Sequence, residues 1–125
     1  MVERVFQHPA RLFHWDDLEE YTRLVNLVQG LTGQPGAFST PYMEEWLRQP
    51  GCNPEENCFL AECDGALVGY ARVDPELAIG RVVVEGGVAP GYRLRGIGGR
   101  LLEAALQRAH ALGAGVMHIA VPEDS

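Results

Sequence analysis

The chain has 125 residues, 46% of them hydrophobic and 22% charged, with a net charge of −7 at neutral pH. A chain of this length buries roughly two-thirds of its unfolded surface, enough for one core, and no apolar run approaches the ~20 residues that a membrane-spanning helix needs. The acidic balance argues against a general nucleic-acid binder, which presents a basic face, and is compatible with a cationic partner such as an amine.

The opening M-V-E-R-V-F-Q-H-P lacks the basic-then-apolar order of a signal peptide, which points to the cytoplasm. A first strand is expected over residues 2–6. The first strong helix signal is D-D-L-E-E-Y-T-R-L-V-N-L-V, where Asp16 is placed to cap and Glu19 stands three residues on, as in a capping box. Leu18, Tyr21, Val25 and Val28 then form one apolar stripe. Gly30, Gly33, Pro35 and Gly36 break the pattern. In a short second helix Thr40 caps, Pro41 fits the first turn, and Trp46 and Leu47 supply the apolar contact.

Asp64 and Gly65, set between two apolar runs, mark a β-hairpin. Asp74 and Pro75 read as a break. The run R-V-V-V-E-G-G-V that follows is expected to be a central strand, buried on both faces. Its Gly86 and Gly87 signal a bulge or a close backbone approach. From Gly98 onward, Leu101, Leu102, Ala105, Leu106, Ala109 and Leu112 line one helix face, with Gly113 just past its end. V-M-H-I-A-V reads as a short buried strand closed by Pro122. Cys52, Cys58 and Cys63 have no C-x-x-C spacing and read as small hydrophobes, with no metal role. The order helix, helix, hairpin, strand, helix, strand predicts a single α/β domain with a mixed sheet. Its last three elements form a parallel crossover.

The chemistry concentrates in V-A-P-G-Y-R-L-R-G-I-G-G-R-L-L, residues 88–102. The first amides of a helix have no intrahelical partner, and its dipole favours negative charge. Gly96, Gly98 and Gly99 let an anion approach those amides, and Arg93, Arg95 and Arg100 add positive charge, so the segment reads as a phosphate cradle. The plainer alternative is a strand-to-helix connection with solvated arginines. A P-loop is excluded, because G-x-x-x-x-G-K-[ST] is absent. A dinucleotide fingerprint matches poorly, since Leu101 occupies the third glycine position and residues 89–95 intervene after Val88. Glu123 and Asp124 sit where a ribose-binding acid would lie, so a nucleotide-binding α/β module remains an alternative.

Val88, Pro90, Arg93, Gly96, Ile97, Gly98, Leu101 and Leu102 together resemble the acyl-CoA binding motif of the GNAT superfamily of N-acyltransferases. The resemblance extends over most of the chain. It implies a GNAT-like fold and transfer of an acetyl group from acetyl-CoA to a primary amine of unknown identity. It further implies that the backbone of Arg93, Leu94, Arg95, Gly96, Ile97, Gly98 and Gly99 holds the coenzyme A pyrophosphate beside Arg100. Gly86, Gly87 and Val88 would pair with the pantetheine arm, and the Val88 region would polarise the thioester carbonyl.

Amine acylation needs a neutral amine and a route for its proton. Glu85 is the first candidate for general base, with a salt-bridged carboxylate as its plainer reading, and His118 is the second. His110 reads as solvent-facing, while His14 and Trp15 precede the first helix and help fix its start. A complete GNAT domain continues with another helix and two strands, and that helix often carries a tyrosine that protonates the thiolate. This sequence stops before them, at V-P-E-D-S. The domain is therefore expected to be partial: a fragment or first module of a longer protein, a half completed in a homodimer, or a non-catalytic acyl-CoA-binding or structural module.

Overall fold

Asp64 and Gly65 both adopt positive φ, 55° and 82°, and turn β2 (Cys58–Cys63) back into β3 (Ala66–Glu76) as the sequence predicts. The computed structural model describes residues 10–93 and 95–120. Among these residues five strands form one sheet in the order β1-β2-β3-β4-β5, where β1 is Arg11–Leu12, β4 is Arg81–Val88 and β5 is Val116–Ala120. Neighbours are antiparallel except β4 and β5, which run parallel across the expected crossover. The mixed α/β architecture is thus the one expected from the order of elements.

Helices cover both faces. On one side α1 (Leu18–Val28) and α2 (Thr40–Leu47) bury Tyr21, Leu24, Val25, Met43 and Leu47 against Phe13, Leu60 and Tyr70. On the other, Leu101, Ala105 and Ala109 of α4 (Ile97–Ala111) pack on Val73, Val82, Val84 and Val88. Each large apolar side chain so buried contributes about 1.5–3 kcal/mol. A one-turn α3 (Pro54–Asn57) precedes β2, and Arg108 of α4 reaches across to the Asn57 amide oxygen at 2.7 Å. Cys58 is fully buried, and that burial pushes its thiol up to about 12, consistent with a packing role.

Several local expectations shift. The expected strand over residues 2–6 lies outside the described residues, and the first strand seen is β1, pairing with Leu60 and Phe59. The capping box falls on His14 and Asp17 instead of Asp16 and Glu19. His14 Nδ1 accepts from the Asp16 amide at 3.1 Å, and the Asp17 carboxylate accepts from the His14 amide at 2.8 Å. A 3-10 turn at Trp15–Asp17 therefore precedes α1. Ser39, one residue before Thr40, caps α2 by accepting from the Tyr42 amide at 3.2 Å.

Asp74 and Pro75 do not break the chain. β3 runs through them, with Pro75 opposite Val82, at a point where β2 has already ended opposite Arg72. Proline is tolerated there because only one neighbouring strand asks for hydrogen bonds. β5 departs most from expectation. Instead of being buried, its Val116 and Ile119 are 54% and 51% exposed, and among the described residues it is an edge strand of the sheet.

Candidate functional site

The turn after β4 is built by short backbone links. The Ala89 amide donates to the Val68 carbonyl at 2.8 Å, and the Tyr92 amide closes a turn onto the Ala89 carbonyl at 3.1 Å. Arg93 Nε then donates back to the Val88 carbonyl at 2.9 Å. This arginine thus ties the loop to the strand end. Arg95 is exposed and lies over the Tyr92 ring at 5.3 Å, and Arg100 is half-buried in the first turn of α4. Leu94 lies outside the described residues.

Gly96 precedes α4 with φ 84°, a left-handed conformation, and no side chain caps the helix. The first full helical bond runs from the Arg100 amide to the Gly96 carbonyl at 3.2 Å. The amides of Ile97, Gly98 and Gly99 therefore lie ahead of it, at the positive end of the helix dipole. A β-carbon built on Gly96 or Gly99 would meet nothing within 4 Å. The glycines are thus open toward the helix start, as an anion cradle requires.

The two glycines of β4 have different surroundings. Its register with β3 is unbroken from Val88 opposite Gly69 to Arg81 opposite Glu76, so the expected bulge is absent from this ladder. The reason for Gly86 is instead close strand approach. A β-carbon there would collide with the Tyr70 carbonyl and lie 2.8 Å from the Ala71 Cα. Gly87 joins Gly98, Leu101 and Leu102 in lining a shallow recess, which brings the strand end and the helix start together.

On the opposite face of the sheet a cavity of about 250 Å³ opens between α1, α2 and β4. Glu85 lines it, together with Arg72, Gln29 and an apolar wall that includes Trp46, Phe38 and Tyr42. Arg72 is 6% exposed. Its Nη1 donates to the Tyr21 hydroxyl at 2.8 Å, its Nε to Asp74 at 3.2 Å and its Nη2 to Glu85 Oε1. Its guanidinium also lies 4.4 Å from the centre of the Trp46 ring. Burial alone would depress the Arg72 pKa, but the surrounding Tyr21, Asp74 and Glu85 outweigh it and raise the value, so the guanidinium stays charged. Burial raises the Tyr21 and Tyr70 hydroxyls, which stay protonated while accepting from Arg72 and Gln29.

Glu85 is thus the salt-bridged carboxylate of its plainer reading, and it also lines a cavity. His118 stands apart: it is exposed on β5, in register with Val83, and makes no hydrogen bond with Glu85. His110 is exposed on α4, as expected. The sequence reading passed over Arg72, Gln29 and the aromatic wall. A lone arginine inside the apolar run L-V-G-Y-A-R-V was the available signal, since a buried cation must find partners.

Comparison with known proteins bears on this geometry. The family described as acetyltransferase (GNAT) matches residues 11–125. Mycothiol acetyltransferase of Saccharopolyspora erythraea is 45% identical over 56 residues, which is 43% of this chain and 18% of that protein. The GCN5-related N-acetyltransferase of Sphaerobacter thermophilus aligns with a TM-score of 0.68 at 22% identity, over 90% of this chain and 34% of that one. An acetyltransferase of Salmonella typhimurium, solved with its cofactor acetyl-CoA, gives a TM-score of 0.68 at 21% identity, over 86% of this chain and 66% of that one. These structural likenesses carry the fold. With a family match over nearly its whole length, this chain belongs to the acetyltransferase (GNAT) family.

Proposed function

We propose that this chain binds acetyl-CoA and transfers its acetyl group to a primary amine. The observation that carries the reading is the uncapped, glycine-open start of α4 beside the end of β4. In this reading the amides of residues 93–99 hold the pyrophosphate, and Arg95 and Arg100 add charge. Gly87 and Val88 offer main-chain groups to the pantetheine arm. Arg93 acts through its bond to the Val88 carbonyl by fixing the loop.

Acetyl-CoA, when bound, supplies a thioester whose carbonyl carbon accepts the amine nitrogen. One C–N bond forms and one C–S bond breaks; coenzyme A departs as the thiol, so the amine proton balances the thiolate. Glu85 lies two residues before Gly87, about 7 Å along the strand. It is the proposed proton acceptor, and Arg72 holds its carboxylate in place. Much of the rate would come from holding amine and thioester together. His118 has no role in this reading.

A second reading, a module that binds acyl-CoA without turnover, is favoured by the engagement of Glu85 with Arg72. Isothermal titration with coenzyme A and acetyl-CoA tests the cofactor site; no binding up to millimolar ligand removes both readings. Thiol release in the presence of an amine panel then separates them, since binding without turnover of any amine leaves the second.

A further inference from the structure

We infer that the acceptor is a small monoamine carried on a flat apolar body, seated in the cavity between α1, α2 and β4 with its ammonium at Glu85. This rests on the acetyltransferase reading and names its substrate class. The cavity, about 250 Å³, falls below the roughly 300–1,000 Å³ of sites for drug-sized ligands. Its lining is Val25, Phe38, Tyr42, Met43 and Trp46 together with Gln29, Arg72 and Glu85, and Glu85 is its one carboxylate.

The polar groups are mostly committed. All three Arg72 nitrogens have protein partners, and the Gln29 amide nitrogen donates to the Tyr70 hydroxyl at 3.3 Å. Among the described residues, Glu85 Oε2 makes no hydrogen bond, while Oε1 is held by Arg72. The cavity therefore offers one anionic oxygen, which suits one ammonium. A second ammonium would find no second carboxylate in the lining.

The apolar wall selects the carrier. Phe38 and Tyr42, both in the lining, stack with ring planes 3° apart and centroids 5.8 Å apart. An amino sugar placed here would set several hydroxyls against Val25, Met43 and Trp46. Each hydroxyl buried without a partner costs about 1–3 kcal/mol. A planar hydrocarbon body loses nothing of that kind and gains by leaving water.

The test is equilibrium binding by the full chain, followed by tryptophan emission. Trp46 lines the cavity, whereas the other tryptophan, Trp15, sits 4.0 Å from the Arg48 guanidinium carbon. We expect 2-phenylethylamine to bind at least about tenfold more tightly than glucosamine, spermidine or 2-phenylethanol. Glu85→Gln should erase most of the preference for the amine over 2-phenylethanol. Tyr42→Ala, at a side chain 52% exposed, should weaken phenylethylamine several-fold with the circular dichroism spectrum unchanged. Equal or tighter binding of glucosamine or spermidine overturns the inference, as does an undiminished amine preference in Glu85→Gln. Coenzyme A is titrated in parallel: its binding without amine selectivity overturns this inference alone, whereas selectivity without coenzyme A binding overturns the acetyltransferase reading.

Discussion

Arg72 and Glu85 stand directly opposite each other on β3 and β4, and the buried guanidinium of the first holds the half-exposed carboxylate of the second. The same guanidinium carries Tyr21 and Asp74. Arg72→Met should therefore be costly, because it strands a buried tyrosine hydroxyl and two carboxylates; a loss of about 3 kcal/mol is expected in urea denaturation. Glu85→Gln leaves Arg72 with its other partners and should cost no more than about 1 kcal/mol. Similar losses in the two variants would show that the network does not centre on Arg72.

Gly86→Ala should destabilise by about 3 kcal/mol or more, since the added carbon meets main chain, which cannot swing aside. Gly99→Ala meets open space and replaces a poor helix former, so stability should hold or rise by up to about 1 kcal/mol. Thermal melts of the two variants check this opposition.

Gly98→Glu should abolish coenzyme A binding, because its carboxylate would occupy the position proposed for the phosphate. Arg95→Ala should leave the melting temperature unchanged, as the side chain is exposed, yet weaken coenzyme A several-fold in dilute buffer. That loss should shrink as salt is added. Arg93→Ala should lower both affinity and stability, since Arg93 braces the loop against Val88. Calorimetry at two ionic strengths separates the two arginines.

Asp17 predicts an acid response. Its hydrogen bonds from Arg11 and the amide of His14, together with the charge of Arg11, lower its pKa below the ordinary 3.8, against the opposing effect of burial. A carboxylate with a depressed folded-state pKa stabilises fully above its unfolded value and loses that contribution as pH falls through the folded one. Asp17→Asn should thus cost about 1 kcal/mol at neutral pH, with the gap to wild type closing below pH 3.8. A gap of constant size across that range would mean that charge at Asp17 contributes nothing.

What could be read from sequence was whatever neighbours along the chain decide. The Asp64 and Gly65 turn, the face of α4 and the glycines at its start all depend on residues within a few positions of one another. The caps lie one or two residues before the expected ones, because His14 and Ser39 each stand just ahead of another residue able to cap. The identity of the Arg72 partners was illegible for a different reason: Tyr21 is 51 residues away, and only packing of α1 on the sheet brings the two together. The exposure of β5 goes with its place at the edge of the sheet formed by the described residues, which an apolar pattern does not encode.

Strand order also bears on how the chain acquires its shape. β2, β3 and β4 are neighbours in space in the order they leave the ribosome, joined only by Asp64, Gly65 and residues 77–80. Closing such short loops loses little entropy, whereas β5 must wait for residues 89–115 to cross over as a helix. The three-strand meander, bearing Arg72 and Glu85, should therefore form early, and the pairing of β5 with β4 should be among the last parts to set.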